Sequence, residues 1–372
     1  MVHPMRAMRV SAALPRDAHD GISRARELVM LHGWNATAYQ IINPGISHWF
    51  SGRDDAVVGY VRSGRVLVVA GAPVCSLDRI ENVAAEFEEH ARAAGDRVCY
   101  FGAGERLETI YREDRAHSIV GLGAQPSWDP STWPAMIARK ASVRAQLNRA
   151  RNKGVTVSLW SSERASRAPA LRNCLEEWLA TRRLPTLHFL VEPETLDRLA
   201  DRRVFVAERD RGAIGFLVAS PVPARNGWLI EQIIRGRGAP NGTSELLIDS
   251  AMRSLAESGA SYVTLGLAPL SRHSSYDRLP SPLWLRAALR WIRAHGRRFY
   301  NFEGLDAFKS KFEPQAWEEI TAIAYGERFP PGALYAIVAA FGASSPLAFV
   351  ARALLKAIVQ EVNWLRESLT SH

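Results

Sequence analysis

Cysteine is scarce in this chain: Cys75, Cys99 and Cys174 are the only three among 372 residues, and they stand far apart. There is no CxxC pair and no nearby histidine at ligand spacing. That excludes a disulfide scaffold and a zinc site and points to a reducing compartment. Long apolar runs are missing as well. None reaches the roughly 18 residues that a membrane-spanning helix needs. The nearest approach, Leu334 to Val359, is interrupted at Gly342-Ala343-Ser344-Ser345-Pro346 and carries Arg352 and Lys356. It predicts two short amphipathic helices, packed on the core or lying in a membrane interface. Met1 to Leu14 hold Arg6 and Arg9 but no apolar stretch, which argues against a signal peptide. The expected location is the cytoplasm, with peripheral attachment to the inner face of the membrane left open.

What remains is an ordinary globular composition, 47% hydrophobic and 23% charged. The length suits two domains better than one core. A formal net charge of +9 and a pI near 9.8 favour an anionic partner such as RNA, CoA or acidic lipid.

The same pattern occurs twice. In the first half, β-rich runs at 56–60 and 66–69 flank the turn Arg62-Ser63-Gly64-Arg65. A helix follows from Leu77 to Ala94, with Ile80, Val83, Ala84 and Phe87 at helical spacing and Gly95 at its stop. A strand at 97–101 and a helix at about 105–112 complete that half. In the second half, strands at 204–208 and 213–219 flank Arg209-Asp210-Arg211-Gly212, and a third strand covers 228–234. A helix from about Thr243 to Ser258 precedes a strand at 262–267. The order β-β-β-α-β is that of a GNAT acyltransferase core. The predicted class is therefore α/β, tandem GNAT-like domains with mixed sheets flanked by helices. The expected division is an N-terminal extension (1–35), a first domain (36–130), a basic linker helix with a second, catalytic domain (131–330), and C-terminal amphipathic helices (331–372). Gln125 to Pro130 has the composition of a loop at that boundary.

Three segments can carry chemistry. In Glu231 to Ser244, two glycines and Asn241-Gly242 make a tight loop between a strand and a helix. Thr243 or Ser244 is the expected cap. Such a loop aims backbone N–H groups and a helix N-terminus at an anion, and Arg235 and Arg237 add charge. Glu231, on an otherwise apolar strand, is a candidate general base; a solvent-facing glutamate is the alternative. The predicted helix 135–153 carries Arg139, Lys140, Arg144, Arg149, Arg151 and Lys153 and no acid, beside an apolar strip of Val143, Leu147 and Ala150. Its cationic side suits an RNA backbone or lipid head groups. The third segment, Phe299 to Pro314, sets Lys309 and Lys311 among aromatics, where lysines can clamp phosphate or steady an oxyanion; by composition it reads as a loop.

Taken in order, several motifs resemble one family. They are Val69-Ala70-Gly71-Ala72-Pro73-Val74, Lys153-Gly154, Ala239-Pro240-Asn241-Gly242, Gly266-Leu-Ala-Pro-Leu-Ser271, and Phe302 to Trp317. The chain from about Ala38 to Phe329 is similar to the C-terminal domain of phosphatidylglycerol lysyltransferases. The resemblance implies a tandem GNAT-like fold, aminoacyl-tRNA as co-substrate and a lipid hydroxyl as acceptor, with no free cofactor and no metal. It implies that the two halves bring donor and lipid together at their junction. By position it implies Glu231, Lys309 and Lys311 as catalytic residues. Arg144, Arg151, Arg235, Arg237, Asn241, Gly242, Thr243 and Ser271 would bind substrate. Glu231-Gln232-Ile233-Ile234 stands where the family has Asp-Leu-Met-Arg, so the acid is kept and the arginine is lost unless Arg235 replaces it. Two other readings stay open: an acyl-CoA-dependent N- or O-acyltransferase, and a non-catalytic RNA- or membrane-binding module. For the former, Pro240 occupies the last position of the CoA-binding pattern counted from Arg235.

Overall fold

The computed structural model describes residues 16–182, 188–274 and 302–342. One mixed sheet of twelve strands runs through both halves. Helix α1 (Arg16–His32) leads into β1 (Ser47–Phe50), β2 (Val57–Ser63) and β3 (Val66–Ala70), an antiparallel ladder. The β2–β3 turn closes at Ser63↔Val66, with Gly64 at φ +60. Helix α2 (Ile80–Ala93) buries Ile80, Val83, Ala84, Phe87 and Ala91 and stops at Gly95, φ +76. Then β4 (Arg97–Ala103) pairs parallel to β3, and α3 (Glu105–Tyr111) and β5 (His117–Trp128) follow.

The second half opens with α4 (Trp133–Arg139) and α5 (Ala141–Asn152), then β6 (Thr156–Trp160), α6 (Ser162–Arg167) and α7 (Pro169–Ala180). Strands β7 (Arg203–Arg209), β8 (Gly212–Val222) and β9 (Gly227–Arg235) form its antiparallel ladder. The β7–β8 turn holds Asp210 and Arg211 both at positive φ, the twist that two-residue hairpins favour. Helix α8 (Thr243–Glu257) crosses to β10 (Tyr262–Thr264), parallel to β9. After β11 (Ala268–Pro269) come α9 (Phe302–Ser310), β12 (Ala316–Tyr325) and α10 (Pro331–Gly342). The tandem GNAT-like order is therefore present in both halves.

Four local expectations change. Gln125 to Trp128 is the end of β5 and not a loop, because its backbone pairs with Ala316 to Glu318 on one side and with Val263 and Thr264 on the other. Phe302 to Trp317 is a helix followed by a strand, and β12 slots between β4 and β5. The strand expected at 262–267 stops at Thr264. The predicted helix 135–153 breaks at Lys140, φ −95 and ψ 85, where α4 ends and α5 begins. The strip Val143, Leu147 and Ala150 is buried as expected.

Strand directions have a further consequence. β12 is antiparallel to β4 and to β5, and β5 is antiparallel to β10. The parallel pair β9–β10 therefore runs opposite to the pair β3–β4. The loop after β3 and its counterpart after β9 leave the sheet in opposite directions.

Helix α10 packs Ala333, Ala336, Ile337 and Ala340 into the core of the first half; residues 343–372, where the rest of the predicted tail lies, are outside the described residues, as are Phe299 to Asn301. Among the described residues no helix is long and apolar enough to cross a membrane. No group of three or more His, Cys, Asp or Glu among them could hold a metal ion. All three cysteines are buried free thiols.

Candidate functional site

A cleft of about 700 Å³ opens at the end of β9, bounded by α5, α7, the loop 236–242, the first turn of α8 and Phe308 of α9. Its loop depends on Gly242, which occupies the N-cap of α8 at φ +94. A Cβ there would stand 2.1 Å from the carbonyl oxygen of Gln146, so only glycine lets the loop lie against α5. The expected cap is not made. The Thr243 hydroxyl donates to the Pro240 carbonyl (2.7 Å) and is buried, and no side chain caps the helix. The first turn of α8 therefore presents its N-terminus to the cleft beside Ser244 and Glu245, an arrangement that favours an anion.

The cleft is rich in cations. Arg149, Arg235 and Arg237 line it, and among the described residues no carboxylate ion-pairs with any of them. The Arg235 guanidinium reaches only the Asn241 amide oxygen, at 3.4 Å, and the backbone N–H of Arg237 donates to Glu177 at 2.8 Å. Lys311 joins the wall through Glu245: its ammonium lies 2.6 Å from that carboxylate, over the Phe308 ring.

The other expected site residues sit elsewhere. The Lys309 ammonium is buried and donates to the carbonyls of Leu265 (2.7 Å), Gly266 (2.7 Å) and Leu267 (2.9 Å). Burial pushes its pKa down to about 7 against the charge of Asp306, and the three carbonyl acceptors use every N–H of the charged form. With every N–H so engaged, Lys309 holds the chain after β10 in place. Arg144 turns back to the carbonyls of Ile137 (3.1 Å) and Ala138 and closes the end of α4. Arg151 pairs with the buried Asp249 at 3.0 Å and fastens α5 to α8. The basic helix lacks acids only in its own sequence; Asp249 and Glu313, which meets Lys140 at 2.6 Å, supply them from afar. The Ser271 hydroxyl donates to Asp306 (2.5 Å) beneath α9.

Glu231 is the extra residue of a bulge. Gln232 pairs with Val218 and Ile230 with Ala219, so Glu231 has no partner across β8. Its carboxylate is 2.5 Å from Arg202 Nε and accepts from the Gln40 amide at 2.9 Å. Arg202 also donates to Asn43, and Gln40 to the Ser220 hydroxyl. This buried network ties the segment at 39–43 of the first half to β8 and β9 of the second. The geometry leaves Glu231 engaged on both oxygens, as a fixture between the halves.

Of the residues expected to form the site, Arg235, Arg237, Asn241 and Gly242 line this cleft, and Lys311 reaches its wall through Glu245. Sequence reasoning did not single out Glu245, Glu177, Gln146 or Trp178, which line the same cleft. Glu245 had one local signal, an acid in the first turn of the helix that follows the glycine loop.

The family model described as "Phosphatidylglycerol lysyltransferase, C-terminal" matches residues 26–323. The phosphatidylglycerol lysyltransferase of Bacillus subtilis (strain 168) is 25% identical over 271 residues, covering 72% of this chain and 31% of that protein. The chain spans about a third of the length of the curated relatives it matches. Among solved structures, the C-terminal domain (DUF2156) of an Agrobacterium fabrum protein described as a lysylphosphatidylglycerol synthetase superposes with a TM-score of 0.73. It is 24% identical, covering 87% of this chain and 97% of that one. The structure of L-PGS from Bacillus licheniformis gives 0.71 at 22% identity, covering 86% and 95%.

Proposed function

This chain belongs to the phosphatidylglycerol lysyltransferase C-terminal family, and from that premise we propose that it is an aminoacyltransferase working in the cleft at the end of β9. The donor is aminoacyl-tRNA, and the acceptor is a hydroxyl of a phosphatidylglycerol-like lipid or of another small molecule. The observation that carries the reading is the convergence of Arg149, Arg235 and Arg237, none paired with a carboxylate among the described residues, on the uncapped start of α8. Phosphates of a tRNA acceptor end are natural occupants of such a place.

The chemistry asks little of the protein, since the aminoacyl ester is already activated. The acceptor oxygen attacks the ester carbonyl carbon, a tetrahedral oxyanion forms, and the bond to the terminal ribose oxygen of the tRNA breaks. The proton lost by the acceptor ends on that ribose oxygen. Lys311 is the cation nearest to hand for the oxyanion, and Glu245, 2.6 Å from it, is the carboxylate to accept and return the proton. This moves the expected general base from Glu231 to Glu245, because both oxygens of Glu231 are engaged. No step calls for a metal or a free cofactor.

The test is to incubate the purified chain with charged tRNAs and phosphatidylglycerol vesicles and look for labelled aminoacyl-lipid. Label in the lipid fraction supports the proposal. Turnover of acyl-CoA in a parallel reaction replaces it with the CoA-dependent reading, and binding of tRNA or vesicles without turnover across a broad panel replaces it with a binding module.

A further inference from the structure

The sheet ends in β1 on one side and in β6 on the other. An edge strand carries a row of backbone N–H and C=O groups that no neighbour bonds, and folded proteins blunt it with charge, proline or a bulge. β6 has none of these. No residue from Gly154 to Ser162 is charged or a proline, and the register with β7 is unbroken from Thr156↔Glu208 to Trp160↔Val204. Among the described residues, nothing but β7 bonds the backbone of β6. Leu159 is 52% exposed on this edge. Strand alternation puts it on the same face as Val157, which packs against the core under α5 and α8. Trp160 turns the other way, into the core under α6 and α7. At the opposite edge, β1 leaves no large apolar side chain exposed. The open apolar position therefore belongs to β6.

The sequence along this edge is complementary to its own reverse. In Lys153-Gly-Val-Thr-Val-Ser158-Leu-Trp-Ser-Ser-Glu163 the only charges stand at the two ends, and they are opposite in sign. Antiparallel pairing of two copies about Ser158 sets Ser158 against itself, Val157 of one copy against Leu159 of the other, and Lys153 of one toward Glu163 of the other. The two Val157–Leu159 pairs then share one face, and each exposed leucine is covered by a cross-strand apolar neighbour. Lys153 is exposed and forms no ion pair among the described residues. Glu163 meets Arg167 at 2.8 Å in an exposed pair that costs little to share. We propose that β6 is a self-association surface whose partner is a second copy of this chain, paired strand to strand about a two-fold axis at Ser158 so that two sheets become one. An extended segment of a different protein would gain the backbone bonds without this symmetric match. The pairing goes beyond the aminoacyl-transfer reading and does not rest on it.

The test is sedimentation velocity of the full chain over a concentration series, and the expected result is a monomer–dimer equilibrium. Leu159→Lys should weaken association about tenfold or more, since two symmetry-related leucines lose their cover. It should leave the melting temperature in place, because the side chain is exposed in the single chain. Lys153→Glu should weaken the dimer, and adding Glu163→Lys should restore it, a recovery that a folding defect would not give. Ser158→Cys should yield a disulfide-linked dimer on mild oxidation, as directly opposed residues of an antiparallel pair lie within disulfide range. Thr156→Cys should not, because it faces Trp160 of the other copy. The three native cysteines are buried and add little background. A chain that stays monomeric at every concentration would overturn the proposal and leave the edge to a different protein. So would a dimer that Leu159→Lys leaves at wild-type strength, a charge swap without recovery, or linkage of Thr156→Cys as readily as of Ser158→Cys. Because none of these measurements reads transfer, failure of the aminoacyltransferase reading leaves them interpretable.

Discussion

Glu231 and Arg202 meet at 2.5 Å between the two halves of the sheet, with 9% and 2% of their side chains exposed. The carboxylate reaches that position because the bulge in β9 turns it toward the segment at 39–43, where Gln40 donates to its second oxygen. A pair this deep does not tolerate the loss of one member. Glu231→Ala should cost about 3–5 kcal/mol, since it strands a buried guanidinium. Glu231→Ala combined with Arg202→Met should recover part of that loss. Urea unfolding of the two variants checks both statements, and equal destabilisation in the single and the double variant would remove the pair from its assigned place.

The ammonium of Lys309 makes a different prediction from that of Lys311, two residues on. Lys309→Met leaves three backbone carbonyls at the end of β10 without their donor and should destabilise the fold by about 2–4 kcal/mol. Thermal unfolding reads this directly. A variant as stable as the wild type would mean that water replaces the ammonium at no cost.

These contrasts show where the sequence is readable. The two hairpins, α2 and α8 follow from local signals: a turn residue, a helical period, a glycine stop. Strands β5 and β12 do not: Gln125-Pro126 has the composition of a loop until it is paired with Trp317 and Glu318 across the sheet. The site divides in the same way. The glycine loop is a local feature, and Gly242 can be picked from its neighbours. The roles of Lys309 and Lys311 depend on which face of the chain turns inward, and the partner of Glu231 is Arg202, just ahead of β7 and distant in sequence. Two charges of the predicted basic helix, Arg151 and Lys140, are paired by Asp249 and Glu313, which sequence spacing does not reveal.

Gly242→Ala tests the loop itself. The left-handed dihedral alone costs a non-glycine residue about 1–3 kcal/mol, and the added methyl would meet the Gln146 carbonyl oxygen. The expected result is a less stable protein with weakened tRNA binding in a filter assay. Undiminished binding would show that α5 and the start of α8 can separate without consequence for the cleft.

His117 predicts a pH dependence. Its ring lies between Asp114 (2.6 Å) and Glu88 (3.3 Å), which Tyr100 and Tyr111 also bond, with the Tyr325 ring edge-on. The two carboxylates outweigh burial and raise the imidazole pKa above 6.5, while its partners lower Glu88 below 4.5 against its own burial. The histidine contribution is therefore complete below pH 6.5 and is lost as pH rises through the raised folded value. The Glu88 contribution is present above 4.5 and is lost as pH falls through the lowered one. Melting temperature should peak between these limits, and His117→Gln should flatten the alkaline side. An unchanged profile in that variant would place the pH dependence elsewhere.

Lys311→Ala and Glu245→Gln bear on the chemistry. The pair is partly exposed, 28% and 13%, so its contribution to stability is small, and neither variant should shift the melting temperature by more than a few degrees. Activity should respond far more. Removing an oxyanion partner lowers kcat by about 10²–10³, and removing a general base by about 10²–10⁴. The two losses should not add, because each residue positions the other at 2.6 Å. Wild-type kcat in both variants, with tRNA binding intact, would remove the reaction from this cleft.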